Sequence, residues 1–257
     1  MKRFLTILLF SVCPSAFACA QADDEMKVMT FNLRFGELAS LEEMAAFISA
    51  EAPDVVALQE CDWKTERTRA PKQSGKAFVN ELAYHTGMFG LYGKAIDYAG
   101  GYYGVGLLSR YPIIRSERIL LPNPAPEQEQ RVMLVADLEL PGGRVVTFVC
   151  THLEVASAGQ RIAQAEFVNA YADRAMYPVI LAGDMNATPD SAEIAGGFAG
   201  WDDMTDREFT FSSTKPEIKI DYIFTYPQGT MEKVSTRVHT ECMLSDHLPV
   251  SSVIKLN

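Results

Sequence analysis

The sequence predicts an α/β sandwich, two stacked sheets flanked by helices, and three observations carry that prediction. Short apolar runs, several of them alternating with period two, recur along the chain, and helical patterns interrupt them in each half. Each half reads as strand, helix, strand and a strand-rich tail, without a sequence repeat. No segment is of low complexity. At 257 residues, 48% hydrophobic and 22% charged, the chain has a globular composition and is long enough to bury a large core.

Residues 1–20 stand apart. Lys2 and Arg3 precede an apolar run over residues 4–12, and Ala16, Ala18 and Ala20 follow, the charged, apolar and small-residue regions of a secretory signal. The apolar run is too short to span a bilayer. Cleavage after Ala20 leaves residues 21–257 as one exported domain with no transmembrane segment. Cys19 offers lipid anchoring as a rival. Ala16-Phe17-Ala18 departs from the aliphatic-small-small sequence that precedes a lipidated cysteine, so simple export is the expectation.

Losing Lys2 and Arg3 and no acid takes the formal net charge from −10 to −12. Duplex DNA is bound largely through Lys and Arg against phosphates, so this acidity argues against long duplex DNA as a partner. It suits a site that collects a divalent cation. Cys61, Cys150 and Cys242 remain beyond the signal; an odd number permits at most one bridge, so the fold must rest on its core.

Residues 28–33 alternate as a first strand. Residues 41–48 place apolar side chains at helical spacing after Ser40, and Glu43 three residues on completes a capping box. Pro53 ends that helix before a second strand at 55–60. A basic loop covers 62–74, a helix 75–86, and a glycine-bearing strand 102–109. Residues 122–126 are a proline-rich connection. Strands 131–140 and 144–151 are joined by Pro141-Gly142-Gly143 as a hairpin. A long helix spans 158–174, a strand 179–184, and an irregular segment 196–206. Strands close the chain at 209–211, 218–225, 231–240 and 248–256.

Six of these strands carry a polar group of chemical use at or near one end. They are Asn32, then Glu60 on the parity of Val56 and Leu58, His152 on the parity of Val146, Phe148 and Cys150, and Asp184. Asn186 shares the parity of Asp184 if the strand continues, Asp221 sits in an apolar run, and Asp246-His247 precedes the last strand. A buried carboxylate costs several kcal/mol unless paired or metal-bound, so a cluster is the economical explanation for Glu60, Asp221 and Asp246. Hard oxygen donors suit Mg²⁺ or Mn²⁺, and the set suits phosphate-ester hydrolysis, with a metal offsetting charge, an aspartate taking a proton from water and histidines serving the phosphate oxygens. No HExxH, paired CxxC, G-x-S-x-G or P-loop pattern is present. Asp221 paired to Lys219 as a purely structural acid is the competing reading.

Met29-Thr30-Phe31-Asn32, Leu58-Gln59-Glu60, residues 104–110, Thr151-His152-Leu153, Gly183-Asp184-Met185-Asn186, Ile220-Asp221-Tyr222-Ile223 and residues 245–249 together resemble the endonuclease/exonuclease/phosphatase family, the deoxyribonuclease I-like metal-dependent phosphoesterases, in its small secreted members. The resemblance implies a four-layer α/β sandwich with two mostly antiparallel sheets, and a divalent-metal phosphoesterase. It implies that Asn32 and Glu60 hold the metal and the scissile phosphate, with Asp246 joining them or tuning His247. Asp184 would orient or deprotonate water beside Asn186. His247, oriented by Asp221, would contact the phosphate, and His152 would act as acid or base. Arg67 or Arg69, shortly after the metal-binding glutamate, would grip a substrate phosphate.

The substrate stays open between a small molecule, a lipid headgroup and a nucleic acid, because one fold serves all three. The expected state is a monomer. A non-catalytic secreted binding protein with a retained site, and a nuclease acting on DNA or RNA, are the alternative readings. Tyr102 and Tyr103 suit either stacking on a substrate ring or packing in a sheet.

Overall fold

The computed structural model describes residues 24–257, and the signal expected at residues 1–20 lies outside them. In chain order the elements are β1 (Glu25–Asn32), α1 (Leu41–Glu51), β2 (Val55–Trp63), α2 (Phe78–Thr86), β3 (Phe89–Tyr98), β4 (Gly101–Ser109), β5 (Ile113–Leu120) and β6 (Val132–Glu139). The second half continues with β7 (Val145–His152), α3 (Ala158–Ala172), β8 (Val179–Asp184), α4 (Ala192–Ala195), β9 (Asp202–Asp203), β10 (Asp221–Tyr226), β11 (Met231–Val238) and β12 (Val250–Leu256).

The strands form two six-stranded sheets, ordered β11-β12-β1-β2-β4-β3 and β5-β6-β7-β8-β10-β9. Pairing is antiparallel except at β1–β2 and β7–β8, the two parallel pairs at the sheet centres. Period-two alternation divides each central strand between two cores. Val28 and Val55 of the first sheet meet Phe148 and Ile180 of the second in one inner cluster. Met29 and Val56 face outward to Met44 and Ile48 of α1 and to Leu82 of α2. Val149 and Leu181 likewise face outward to Ala165 and Val168 of α3. The result is the expected four-layer sandwich.

Local chemistry explains the element ends. Ser40 accepts from the Glu43 backbone N–H at 3.2 Å and donates its own to Glu43 Oε2 at 2.9 Å, so the capping box that starts α1 forms as read. Ala52 ends the helix in the left-handed conformation. Gly183 is fixed by close approach: a Cβ there would lie 2.1 Å from the Thr151 carbonyl oxygen, because β7 and β8 run parallel and tight.

Several expectations need correction. Residues 89–98 and 113–120, not assigned from sequence, are β3 and β5, each at one edge of its sheet. An edge strand buries one flank only, and β5 carries Arg115, Glu117 and Arg118, so its alternation is masked by the charges that guard an edge. Residues 209–211 make only isolated bridges, Phe211 to Ile218 and to His247. β2 runs on to Trp63 and α2 starts at Phe78, shortening the predicted basic loop and helix. Cys61, Cys150 and Cys242 are buried free thiols with no bridge between them.

Candidate active site

The polar strand ends converge at one end of the two sheets. His152 and Asp184 are direct partners across β7 and β8, and Asp184 is partnered on its other side by Asp221 of β10. The three therefore share one face of adjacent strands. Asn32 reaches across from the first sheet, donating from Nδ2 to Asp184 Oδ2 at 3.1 Å and to Glu60 Oε1 at 3.2 Å. Asp184 lies at the centre. Its Oδ1 accepts the Asn186 backbone N–H at 2.9 Å, and its Oδ2 stands 3.4 Å from His152 Nε2 and 3.6 Å from His247 Nε2.

His247 is held from behind. Its Nδ1 donates to Asp221 Oδ2 at 3.0 Å, and the Thr210 hydroxyl donates to that same oxygen at 2.6 Å. This fixes Nε2 toward Asp184. Burial opposes a charge on His247, but Asp221 and then Asp184 outweigh it and push the imidazole up to about 9. Burial first, then Asp221, pushes Asp184 up to about 7, with His247, Asn186 and Asn32 holding it back. The Lys219 alternative fails, since Lys219 Nζ binds Asp203 Oδ2 at 3.1 Å and Thr205 Oγ1 instead.

Glu60 arrives by a route the parity reading missed. A β-bulge falls between Leu58 and Cys61, where Gln59 and Glu60 of β2 oppose the single residue Val105 of β4, and Glu60 sits in it at φ 56°. Strict alternation would send Glu60 with Val56 and Leu58 toward the helices; the bulge returns it to the cavity. Asn186 also departs from strand geometry, since β8 stops at Asp184 and Asn186 adopts φ 49°. Its Nδ2 donates to the Leu153 carbonyl at 3.0 Å, which anchors the amide and leaves its oxygen able to accept from a ligand.

His152 differs most from its expected part. Arg131 Nη1 lies 3.3 Å from its Nδ1, so that nitrogen faces a guanidinium and accepts from it. Burial, then Arg131 and His247, hold His152 well below its ordinary 6.5. With Nδ1 accepting from Arg131, the neutral ring carries its proton on Nε2, on the side of Asp184. Arg131 was missed although its signal was available, a charge at the head of the apolar strand predicted over 131–140. It is itself paired to Glu129 at 2.9 Å and Glu154 at 3.2 Å. Thr210 gave no signal.

A cavity of about 430 Å³ opens over this cluster, lined by the polar groups Glu60, Arg131, His152, Asp184, Asn186, Asp246 and His247 together with Tyr103, Val155, Phe211, Ile218 and Ile220. A larger groove of about 690 Å³ along α3 carries none of the predicted site residues. Arg67 and Arg69 are not among the cavity's lining. Arg67 binds Asp62 with both Nε (2.9 Å) and Nη2 (3.0 Å) and lies over the rings of Phe35 and Tyr98, with Tyr103 behind. Arg69 is forked onto Glu37 at 3.0 and 2.7 Å on the surface. Asp246 is ion-paired to Arg34.

The donor chemistry fits a divalent cation. Glu60 accepts only the neutral Asn32 amide and has no cationic partner among the described residues. Asp184, Asp221 and His247 each present a ligand atom within 4.8 Å of the others, a spacing that can hold a metal ion. Carboxylate and amide oxygens with imidazole, and no thiolate in the cavity lining, select a hard or borderline ion.

The fold and this cluster define a phosphoesterase-type α/β sandwich, and comparison with known proteins agrees. The endonuclease/exonuclease/phosphatase family model matches residues 29–247, and the chain belongs to that family. Its members are hydrolases of phosphoester bonds and generally use divalent metals. Among curated proteins the chain is 28% identical to YbhP of Escherichia coli over 251 residues, 90% of this chain and 96% of YbhP. Among solved structures it resembles an endonuclease/exonuclease/phosphatase from Beutenbergia cavernae, with TM-score 0.75 and 21% identity over 91% of this chain and 72% of that one. It also resembles a mannosyl-6-phosphatase from Bacteroides thetaiotaomicron, with TM-score 0.69 and 16% identity over 89% of this chain and 99% of that one.

Proposed function

We propose that the protein is an exported, Mg²⁺- or Mn²⁺-dependent hydrolase of a small phosphodiester or phosphomonoester, acting by in-line attack of water. The observation that carries this reading is Asp184, a buried carboxylate reached by Asn32, His152 and His247 from both sheets. Its long separations from the two imidazoles leave Oδ2 able to accept from a water, and its raised affinity for protons makes it a competent base near neutral pH.

His247, kept cationic by Asp221, binds an unesterified phosphate oxygen through Nε2–H. His152 adds a second, neutral N–H donor. Asn186 orients the water through its amide oxygen. Glu60, Asn32 and Asp246 are the residues that would hold Mg²⁺ or Mn²⁺, whose contribution when bound is to offset charge developing on the phosphate.

Three observations favour a small substrate. A cavity of about 430 Å³ fits a compact ligand, and its Phe211, Ile218 and Ile220 wall fits an apolar or ring-bearing group beside the phosphate. The acidic net charge opposes long duplex DNA. The mannosyl-6-phosphatase likeness points the same way. Export rests on the signal pattern at residues 1–20.

The test is a panel of phosphomonoesters, generic phosphodiesters, inositol phosphates, sphingomyelin and plasmid DNA, each with Mg²⁺, Mn²⁺ or EDTA. Turnover of a small phosphoester that EDTA abolishes is expected. Failure on every substrate would favour a binding protein that retains the site, and preference for plasmid DNA would favour a nuclease.

A further inference from the structure

A second cluster of metal-ligating type lies on the outer face of the first sheet, away from the cavity. Glu51 is the last residue of α1, and His239 and Glu241 follow β11. His239 is fully buried, its ring edge-on to Phe47 at 5.3 Å, with Nε2 held 2.9 Å from Ser251 Oγ. Its Nδ1 is buried and has no hydrogen-bond partner among the described residues. That nitrogen is aimed at two carboxylate oxygens, Glu51 Oε1 at 3.7 Å and Glu241 Oε1 at 3.6 Å.

These distances are too long for hydrogen bonds. They fit ligands of one ion, because donors about 2.0–2.1 Å from a tetrahedral centre lie roughly 3.4 Å apart. All three ligand atoms fall within 4.8 Å of one another. In one tautomer a buried lone pair faces two anions; in the other a proton points at acceptors it does not reach. A cation among the three atoms satisfies both carboxylates and the ring at once. Ser251 supplies the hydrogen bond on the far nitrogen that fixes a metal-binding imidazole. Glu241, half-exposed, leaves the solvent side open for water as a further ligand.

We propose that Glu51, His239 and Glu241 form a second divalent-metal site, of the imidazole-plus-carboxylate type that takes Zn²⁺, independent of the hydrolytic centre. Two cations flank it. Lys27 Nζ binds the other Glu51 oxygen at 3.1 Å. Arg237 Nη2 lies 2.6 Å from Glu241 Oε1, and its Nη1 lies 3.7 Å from Glu51 Oε1. Arg237 is largely exposed and is the competitor that a metal must displace. Occupancy would tie the C-terminal end of α1 to the start of the segment that carries Asp246 and His247 to the cavity.

The test is calorimetric titration of the metal-stripped full chain with Zn²⁺, comparing wild type with Glu241→Gln, Arg237→Gln and Glu60→Gln. Expected is a Zn²⁺ equivalent whose affinity falls at least tenfold in Glu241→Gln, rises severalfold in Arg237→Gln and is unchanged in Glu60→Gln. Nitrogen NMR of His239 should show Nδ1 shifting on Zn²⁺ addition. Glu241 is exposed, so its variant reports without a folding penalty. No bound Zn²⁺, or an affinity lowered by Glu60→Gln and untouched by Glu241→Gln, would overturn the proposal. So would an Nδ1 resonance that responds to acid and not to Zn²⁺.

Discussion

Arg131 Nη1 sits 3.3 Å from His152 Nδ1 while the opposite ring nitrogen of His152 faces Asp184 Oδ2 at 3.4 Å. A histidine between a guanidinium and a carboxylate is fixed as the Nε2–H tautomer and carries no exchangeable charge. His152→Gln should therefore lower kcat by about 10- to 100-fold, as expected for loss of one donor, without moving either limb of the pH–rate profile. A limb that disappears in this variant would restore an acid or base role to His152.

Arg131 also neutralises Glu129 and Glu154, which are mostly buried. Arg131→Met leaves both carboxylates without their cation and should destabilise the fold by about 3–5 kcal/mol in urea unfolding. A loss below about 1 kcal/mol would show that solvent or another cation serves these acids.

Asp184 must be ionised and His247 protonated for the proposed chemistry, and the two interact, so their titrations belong to the pair. Activity should rise as pH passes about 7 and fall as it passes about 9, a bell whose limbs follow the shifts of Asp184 and His247. A bound metal would move the acid limb lower. For stability the sign differs. Asp184 binds its proton more tightly folded than unfolded, so its contribution is lost as pH rises from 3.8 through about 7. His247 stabilises fully below 6.5 and loses that contribution as pH rises through about 9. Thermal unfolding of the metal-free protein should show Tm falling over these windows, and a Tm that rises from pH 7 to 9 would contradict the assignment.

Glu60 holds a left-handed backbone conformation at φ 56°, which costs a non-glycine residue about 1–3 kcal/mol. Glu60→Gly should fold at least as stably as the wild type and lose activity and active-site metal affinity together. A variant that is both destabilised and active would contradict the view that this strain serves the site.

The sequence revealed most where burial is two-sided. Val28, Val55, Phe148 and Ile180 sit in the inner core between two sheets, and their runs were read correctly. β3 and β5, one at the edge of each sheet, were not, because Arg115 and Arg118 guard β5 and glycines thin β3. The convergence of Asn32, Glu60, His152, Asp184, Asp221 and His247 was legible because each is a polar group inside an apolar run or at one end of it. Glu60 reached the site for a reason parity misjudged, since a bulge depends on the opposing strand. Arg67 and Arg69 looked equivalent in sequence, and only the positions of Asp62 and Glu37 show that both are already engaged. The contact between Arg131, just before β6, and His152 at the end of β7 spans 21 positions, and no local pattern announces it.

In the proposed reaction Asp184 directs water onto a phosphorus atom. The most direct test is phosphorus NMR of the product formed in oxygen-isotope-enriched water with Mg²⁺, for wild type and Asp184→Asn. Solvent oxygen should appear in the product phosphate at each wild-type turnover. The rate in Asp184→Asn should fall by about 10²- to 10⁴-fold, as for loss of a general base, without loss of folded stability. Turnover that leaves solvent oxygen out of the phosphate, or an Asp184→Asn variant as fast as the wild type, would rule out this role for Asp184.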